Sequence, residues 1–168
     1  QVQTYRRYIT PSNIRGLNRI GVRNIVYTAV SDAIVKTGLP GGGDWRTVYN
    51  CAPIAKFDFN SGVDADTAPL VFLGRLARCQ GAHSAIAAAK LARRQLIIAG
   101  NISPLKEEQE YFKNELEPLF DGEQIKYIGV VNNEQKNVLL GNAAAMLLPI
   151  EWYEPFPVVL PESFACGT

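Results

Sequence analysis

Three features of the 168-residue chain predict a doubly wound parallel α/β sheet with helices on both faces. Between Leu70 and Ile150, four apolar strand-like runs alternate with three helix-like stretches. The apolar runs are largely continuous, as expected where helices cover both faces of a sheet. The connections are short, and right-handed crossovers then make a parallel sheet the economical solution. The length suits one domain with a substantial core and falls below the roughly 250 residues of a TIM barrel. A complete sandwich of this kind needs a further strand or two after the last helix, so the sheet is expected to be truncated.

Each element has its own signal. Pro11 and Ser12 precede NIRGLNRIG, a short helix closed by Gly21. NIVYTAV (24–30) is β-branched and aromatic, the first credible strand. Ser31 caps the helix DAIVKTG, with Asp32 in its first turn and Gly38 at its end. LPGGGDW (39–45) is glycine-rich and reads as a loop, and TVYN (47–50) as a short strand. CAPIAKFDF is extended or irregular because Pro53 constrains its neighbour, and NSGVDADTAP is a polar turn region. The regular part begins with the strand LVFLG (70–74), the Ala-rich helix AHSAIAAAKLARR (82–94) and the strand QLIIAG (95–100). Ser103 as cap and Pro104 at the first position open a helix to Phe120, with Leu105, Phe112, Leu116 and Leu119 at helical spacing. IKYIGVV (125–131) is a strand, Asn133 to Leu140 a helix stopped by Gly141, and AAAMLLPI (143–150) the last strand.

Composition narrows the function classes. The hydrophobic fraction of 47% is that of a globular chain. A net charge of +1 gives no reason to expect a nucleic-acid partner. The charge is uneven: Arg6, Arg7, Arg15, Arg19, Arg23 and Lys36 meet only Asp32 in the first forty residues, which suits either an anionic ligand or an ordinary surface. Cys51, Cys79 and Cys166 form no CxxC and no zinc set with the single His83, so no metal site is expected. Scattered, odd-numbered cysteines suit a reducing, cytoplasmic setting. No run is long enough to span a bilayer and the polar start is no signal peptide. A chain that starts without Met is expected to be a piece of a longer protein.

The chemistry gathers at the expected ligand edge. GRLARCQG (74–81) joins a strand to a helix. Gly74 and Gly81 permit close backbone approach, the helix start offers free N–H groups, and Arg75 is a forked donor suited to phosphate. The same features also describe a surface arginine beside a structural turn, and neither GxGxxG nor Walker A spacing is present. Arg78 and His83 add donors that could meet an anion; the positive helix end favours the neutral imidazole, which could equally hold a local backbone partner. Glu154 and Glu162, eight residues apart, flank a loop and helix start after the last strand, and a carboxylate is a good acceptor for ribose or sugar hydroxyls. Trp152, Tyr153 and Phe156 beside them suit ring stacking or packing. One histidine supports no nucleophilic triad.

Taken together, these segments resemble the C-terminal half of retaining, nucleotide-sugar-dependent glycosyltransferases of the GT-B fold, family 4 or group 1. VFLGRLARCQGAHSAIAAAK resembles that family's strand–GR–loop–helix segment, and QLIIAG its next strand. EPFPVVLPESFACGT resembles its E-x7-E region and the Ala-Cys-Gly-Thr that follows. VSDAIVKTG and TVYNCAP resemble the entry to the second domain. The resemblance covers residues 25–168 and implies a Rossmann-like donor-binding domain there, incomplete at its C-terminus, with 1–24 a leading segment of an N-terminal region. It implies that Arg75 contacts the donor diphosphate, with Gly74, Gln80 and Gly81 in the same loop. It implies Glu162 on the ribose hydroxyls and Glu154 near the donor sugar as the catalytic-site carboxylate. Backbone near Val130 and Val131 would hold the base, and that of Phe156, Pro157 and Val158 the sugar or phosphate. The donor would be a UDP-, GDP- or ADP-linked sugar, the acceptor is unspecified, and neither a prosthetic group nor a divalent metal is implied. The acceptor-binding domain would lie elsewhere in the chain of an intact enzyme, cytoplasmic or peripheral at a membrane, and this piece alone would transfer nothing.

Two positions depart from the family pattern. Gln80 stands where a lysine helps neutralise the diphosphate, and Pro157 stands where a glycine offers an N–H. Both losses fall on the donor site. They leave open a non-catalytic homologue with a decayed site. A nucleotide-sugar epimerase is a third class, which the E-x7-E region disfavours.

Overall fold

The computed structural model describes residues 1–20 and 24–168; Gly21 and Arg23 lie outside them. The chain forms two compact units, residues 1–51 with 154–158, and residues 52–153 with 159–168.

The first unit carries β1 (Val2–Tyr5), α1 (Pro11–Arg19), β2 (Val26–Ala29), α2 (Asp32–Gly38) and β3 (Asp44–Thr47), with the three strands parallel in the order β1-β2-β3. Ser31 caps α2 as its residue type predicts, its hydroxyl accepting from the Ile34 amide. The third strand starts inside the segment expected to be a loop and ends at Thr47, so the expected TVYN strand is displaced towards the N-terminus. The cause is Trp45. Its ring stacks on Tyr27 with centroids 4.9 Å apart, and its indole N–H donates to the Gly42 carbonyl at 3.0 Å. Burial of that ring sets the register against β2 and overrides the glycine-rich turn signal. Ile9, Ile14, Tyr27, Ala29, Ile34 and Trp45 form the core of this unit.

The second unit is the predicted Rossmann-like sheet. Its strands are β4 (Leu70–Leu73), β5 (Leu96–Ala99), β6 (Ile125–Tyr127) and β7 (Ala145–Met146), all parallel, in the order β6-β5-β4-β7. Its helices are α3 (Ala82–Leu91), α4 (Lys106–Tyr111), α5 (Asn133–Gly141) and α6 (Val159–Cys166). Each sheet face has its own core. Phe72, Leu96, Ile98 and Ile125 pack with Ala85, Ile86, Ala89, Tyr111 and Leu116 on one side. Val71 packs with Leu140, Ala143 and Cys166 on the other, joined by the partly buried Leu73, Ile97 and Met146. Two covered faces explain why the strand runs are apolar at every position.

Boundaries differ from expectation where local chemistry competes. Ser103 and Pro104 do not open α4; Leu105 is its N-cap residue, and the Ser103 hydroxyl instead accepts from the Leu105 amide. The expected helix to Phe120 is broken into α4, a π-helical turn at Phe112–Leu116 and a 3-10 turn at Glu117–Leu119 containing Pro118. The helix α3 stops at Leu91, ahead of Arg93, whose φ is 54°. The helix α5 is held at its start by a full capping box between Asn132 and Gln135. Only two residues of the expected 143–150 strand pair with β4.

Candidate active site

In a parallel sheet the loops at the carboxyl ends of the strands form the ligand edge, and a crevice opens where the strand order reverses. In the second unit that point lies between β4 and β7, the neighbours from which the chain departs to opposite sides. The loop after β4 is GRLARCQG, and the segment after β7 runs through Pro149 and Glu151. The two are joined directly. The Glu151 amide donates to the Cys79 carbonyl at 2.9 Å. Gly81, with φ +77°, comes so close to Pro149 that a β-carbon there would lie 1.9 Å from the Pro149 carbonyl oxygen. Only glycine supplies both that backbone conformation and that clearance.

His83, in the first turn of α3, completes the junction. Its Nε2 lies 2.8 Å from Oε1 of Glu151, and its Nδ1 lies 2.8 Å from the Tyr111 hydroxyl. The carboxylate can only accept, so Nε2 carries the proton, and in the neutral ring Nδ1 accepts from Tyr111. Burial pushes the Tyr111 phenol above its ordinary value, so it remains a donor. The Ser84 hydroxyl donates to the same Glu151 oxygen at 3.2 Å. Here the acid stands between serine and histidine. A nucleophilic triad needs the histidine between them, so this is a positioning network and not a hydrolase centre.

The cations of the loop have different fates. Arg78 pairs with Glu115, and its guanidinium lies 4.6 Å from the centre of the Tyr111 ring. Arg78, Cys79, Glu107, Glu108, Tyr111 and Glu151 line a cavity of about 390 Å³. An anion would therefore compete for Arg78 with Glu115, and for His83 with Glu151. Arg75 is exposed and its guanidinium has no ion pair or hydrogen bond among the described residues. Gln80 turns its side-chain oxygen towards Gly74, 3.6 Å from where a β-carbon would sit. Gly81 occupies the N-cap of α3 and provides no side-chain oxygen, so the first-turn amides lack a side-chain cap.

The loop after β6 and the start of α5 form a second surface of this unit. Val130 and Val131 join Ile128, Glu134, Gln135, Val138 and Leu139 around a largely apolar cavity of about 470 Å³. Glu162 falls in the first turn of α6, as expected from the sequence. Its Oε1 lies 2.5 Å from the Lys136 ammonium, with side chains only 12% and 17% exposed. Lys136 carries no motif, so nothing in the sequence signalled this partner. Tyr111 and Glu151 were missed too: the first reads as one more apolar helix position, and the second contacts residues 67 and 68 positions away.

The remaining sequence candidates belong to the first unit. Glu154, Phe156, Pro157 and Val158 are part of it. The Phe156 carbonyl accepts from the Asn50 amide at 2.7 Å, and its ring lies 5.5 Å from Tyr49. Val158 lines a cavity of about 410 Å³ at the carboxyl ends of β1, β2 and β3, with Thr4, Arg6, Thr28, Tyr49 and Asn50. The Thr4 and Thr28 hydroxyls bond each other at 2.8 Å. Asp32 accepts from the Thr47 and Tyr49 hydroxyls, which hold its carboxyl below the usual range.

Among the described residues, no group of histidines, cysteines and carboxylates is arranged to hold a metal ion. Among them, too, no helix is long and apolar enough to cross a membrane.

Comparison with known proteins agrees with this architecture. A family profile described as Glycosyl transferases group 1 matches residues 54–168. No curated protein matches the chain. Among solved structures, a glycosyltransferase involved in Avilamycin A biosynthesis is 30% identical over 84% of this chain, with a TM-score of 0.63. A glycosyltransferase from Rickettsia africae ESF-5 is similar in fold over 98% of this chain, at 16% identity and a TM-score of 0.74. The chain spans 42% of the first of these and 49% of the second.

Proposed function

Because the chain belongs to the group 1 glycosyl transferases, we propose that its second unit binds the nucleoside-diphosphate sugar donor of a family 4 enzyme, which transfers the sugar to an acceptor with retained configuration. The observation that carries this reading is the junction at the sheet's switch point. There the GRLARCQG loop, the uncapped start of α3 and the segment after β7 are held together beside Arg75, whose guanidinium is unpaired among the described residues. Diphosphate departure needs fixed positive charge where negative charge develops, and a guanidinium with helix-start amides provides it without reorganisation. Glu162 accepts from the ribose, and the apolar cavity beside Val130 and Val131 takes the base. Neither a prosthetic group nor a divalent metal is required by this scheme. The parent enzyme works in the cytoplasm or at its membrane surface, and these 168 residues alone bind donor without transferring it.

Gln80 and Pro157 favour a second reading, in which the donor site has decayed. Gln80 supplies no charge, and Pro157 supplies no N–H. Titration calorimetry of the chain with UDP-, GDP- and ADP-sugars separates the two. Saturable binding of one of them, weakened about tenfold or more by Arg75→Ala, supports the donor site, since charge-assisted bonds to phosphate are among the strong ones. Absence of saturable binding with all three supports decay. Transfer by the chain alone, at a rate comparable to an intact relative, would overturn the division of labour.

A further inference from the structure

The Lys136–Glu162 pair has a geometry that a solvated surface bridge does not. Both side chains are largely shielded, the ammonium touches only Oε1, and Oε2 accepts no hydrogen bond among the described residues. The lysine is itself steered. Its ammonium lies 5.6 Å from the centre of the Phe57 ring, against the π-face that attracts cations. The segment that follows Phe57 is tied to α5. The Asp58 amide donates to the Asn137 side chain at 2.9 Å, the Asn137 amide donates back to the Asp58 carboxylate at 2.7 Å, and the Asn60 amide donates to the Gly141 carbonyl at 2.7 Å. The next residues of α5 line the apolar cavity through Glu134, Gln135 and Val138.

Resting on the reading of Glu162 as the ribose acceptor, we propose that Lys136 is a positioning residue that makes ribose recognition asymmetric. The Lys136 contact on Oε1 fixes the rotamer of the Glu162 carboxylate. With Oε1 engaged, the open oxygen Oε2 accepts from one of the two vicinal ribose hydroxyls. The other hydroxyl gains little from the protein. A carboxylate with both oxygens free would take the two hydroxyls alike.

The test measures dissociation constants of the full chain for uridine, guanosine and adenosine diphosphates, and for the 2′-deoxy and 3′-deoxy analogues of whichever binds. One deoxy analogue is expected to lose about tenfold more affinity than the other, in line with the cost of leaving a shielded acceptor unpaired. In Lys136→Met the difference falls below about threefold, while Lys136→Arg retains it because charge and donor are kept. Equal losses for the two analogues in the natural chain would overturn the proposal even if Lys136→Met did not fold. A folded Lys136→Met with unchanged discrimination would overturn it as well, leaving the pair as a clamp between α5 and α6. If none of the three diphosphates binds, the donor-site reading itself fails and this inference falls with it.

Discussion

Gly81→Ala is the sharpest test of the junction between the loops after β4 and β7. The added β-carbon would sit 1.9 Å from the Pro149 carbonyl oxygen and 2.8 Å from its carbon, so backbone must move. Overpacking of this kind costs about 1–3 kcal/mol. Holding alanine at φ +77° costs roughly 1–2 kcal/mol more. The sum, about 2–5 kcal/mol, is a large part of the 5–15 kcal/mol typical of a folded domain. Gly122→Ala is the matched control, because Gly122 has φ +75° and nothing within 4 Å of a β-carbon. It should lose only the conformational part. Urea unfolding followed by circular dichroism reads the difference as a midpoint about 0.5–1.5 M lower in Gly81→Ala than in the control, with a slope of about 2 kcal/mol/M. Amide exchange should speed up in residues 147–153 and at the start of α3. Equal midpoints for the two variants, with unchanged exchange in both segments, would refute the close approach of Gly81 to Pro149.

Four further outcomes follow from the same structure. Ile98→Ala removes a fully buried side chain from the core beneath α3 and should cost about 2–5 kcal/mol by denaturant unfolding. Asn132→Ala breaks the capping box of α5, lowering stability by about 1 kcal/mol and raising amide exchange in its first turn. Gln80→Lys restores a charge in the loop and should tighten nucleoside-diphosphate binding about fivefold by calorimetry, with the gain shrinking at high salt. The last concerns pH. Asp32 is held below its ordinary value of 3.8 by the Thr47 hydroxyl first and the Tyr49 hydroxyl second. The folded state therefore releases this proton more readily than the unfolded chain. Its contribution is fully present above the ordinary value and is lost as pH falls through the folded-state value. Thr47→Val with Tyr49→Phe should flatten that acid limb of stability, followed by unfolding between neutral and acid pH.

What the sequence disclosed, and what it hid, follows from how local each signal is. LVFLG and QLIIAG were legible because burial on two faces writes itself into consecutive residues. Ser31 was legible because a cap is decided within three positions. The strand at Asp44–Thr47 was not, because Trp45 chooses its register by packing on Tyr27 across the sheet. Helix α4 was read too long because a π-helical turn leaves no mark in hydrophobic spacing. The candidate site divides in the same way. Arg75, Gly81 and Glu162 could be named from motifs, whereas the partners that hold His83 and Glu162 come from distant segments. A lone lysine in a polar helix reads as solvated, and only the packing of α5 beside α6 shields Lys136.

The central place of β4 in its sheet has a consequence for how the chain is made. One neighbour, β5, follows within thirty residues, but the other, β7, emerges only after β5 and β6 and pairs through only Ala145 and Met146. Closing a long loop for so short a pairing defers its reward until β5 and β6 are in place. Until then β4 presents an open, apolar edge, the kind of surface that captures other chains. Aggregation during synthesis or refolding should therefore depend on how fast residues 145–146 arrive, and a chaperone that shields Leu70–Leu73 would act at the moment of greatest exposure.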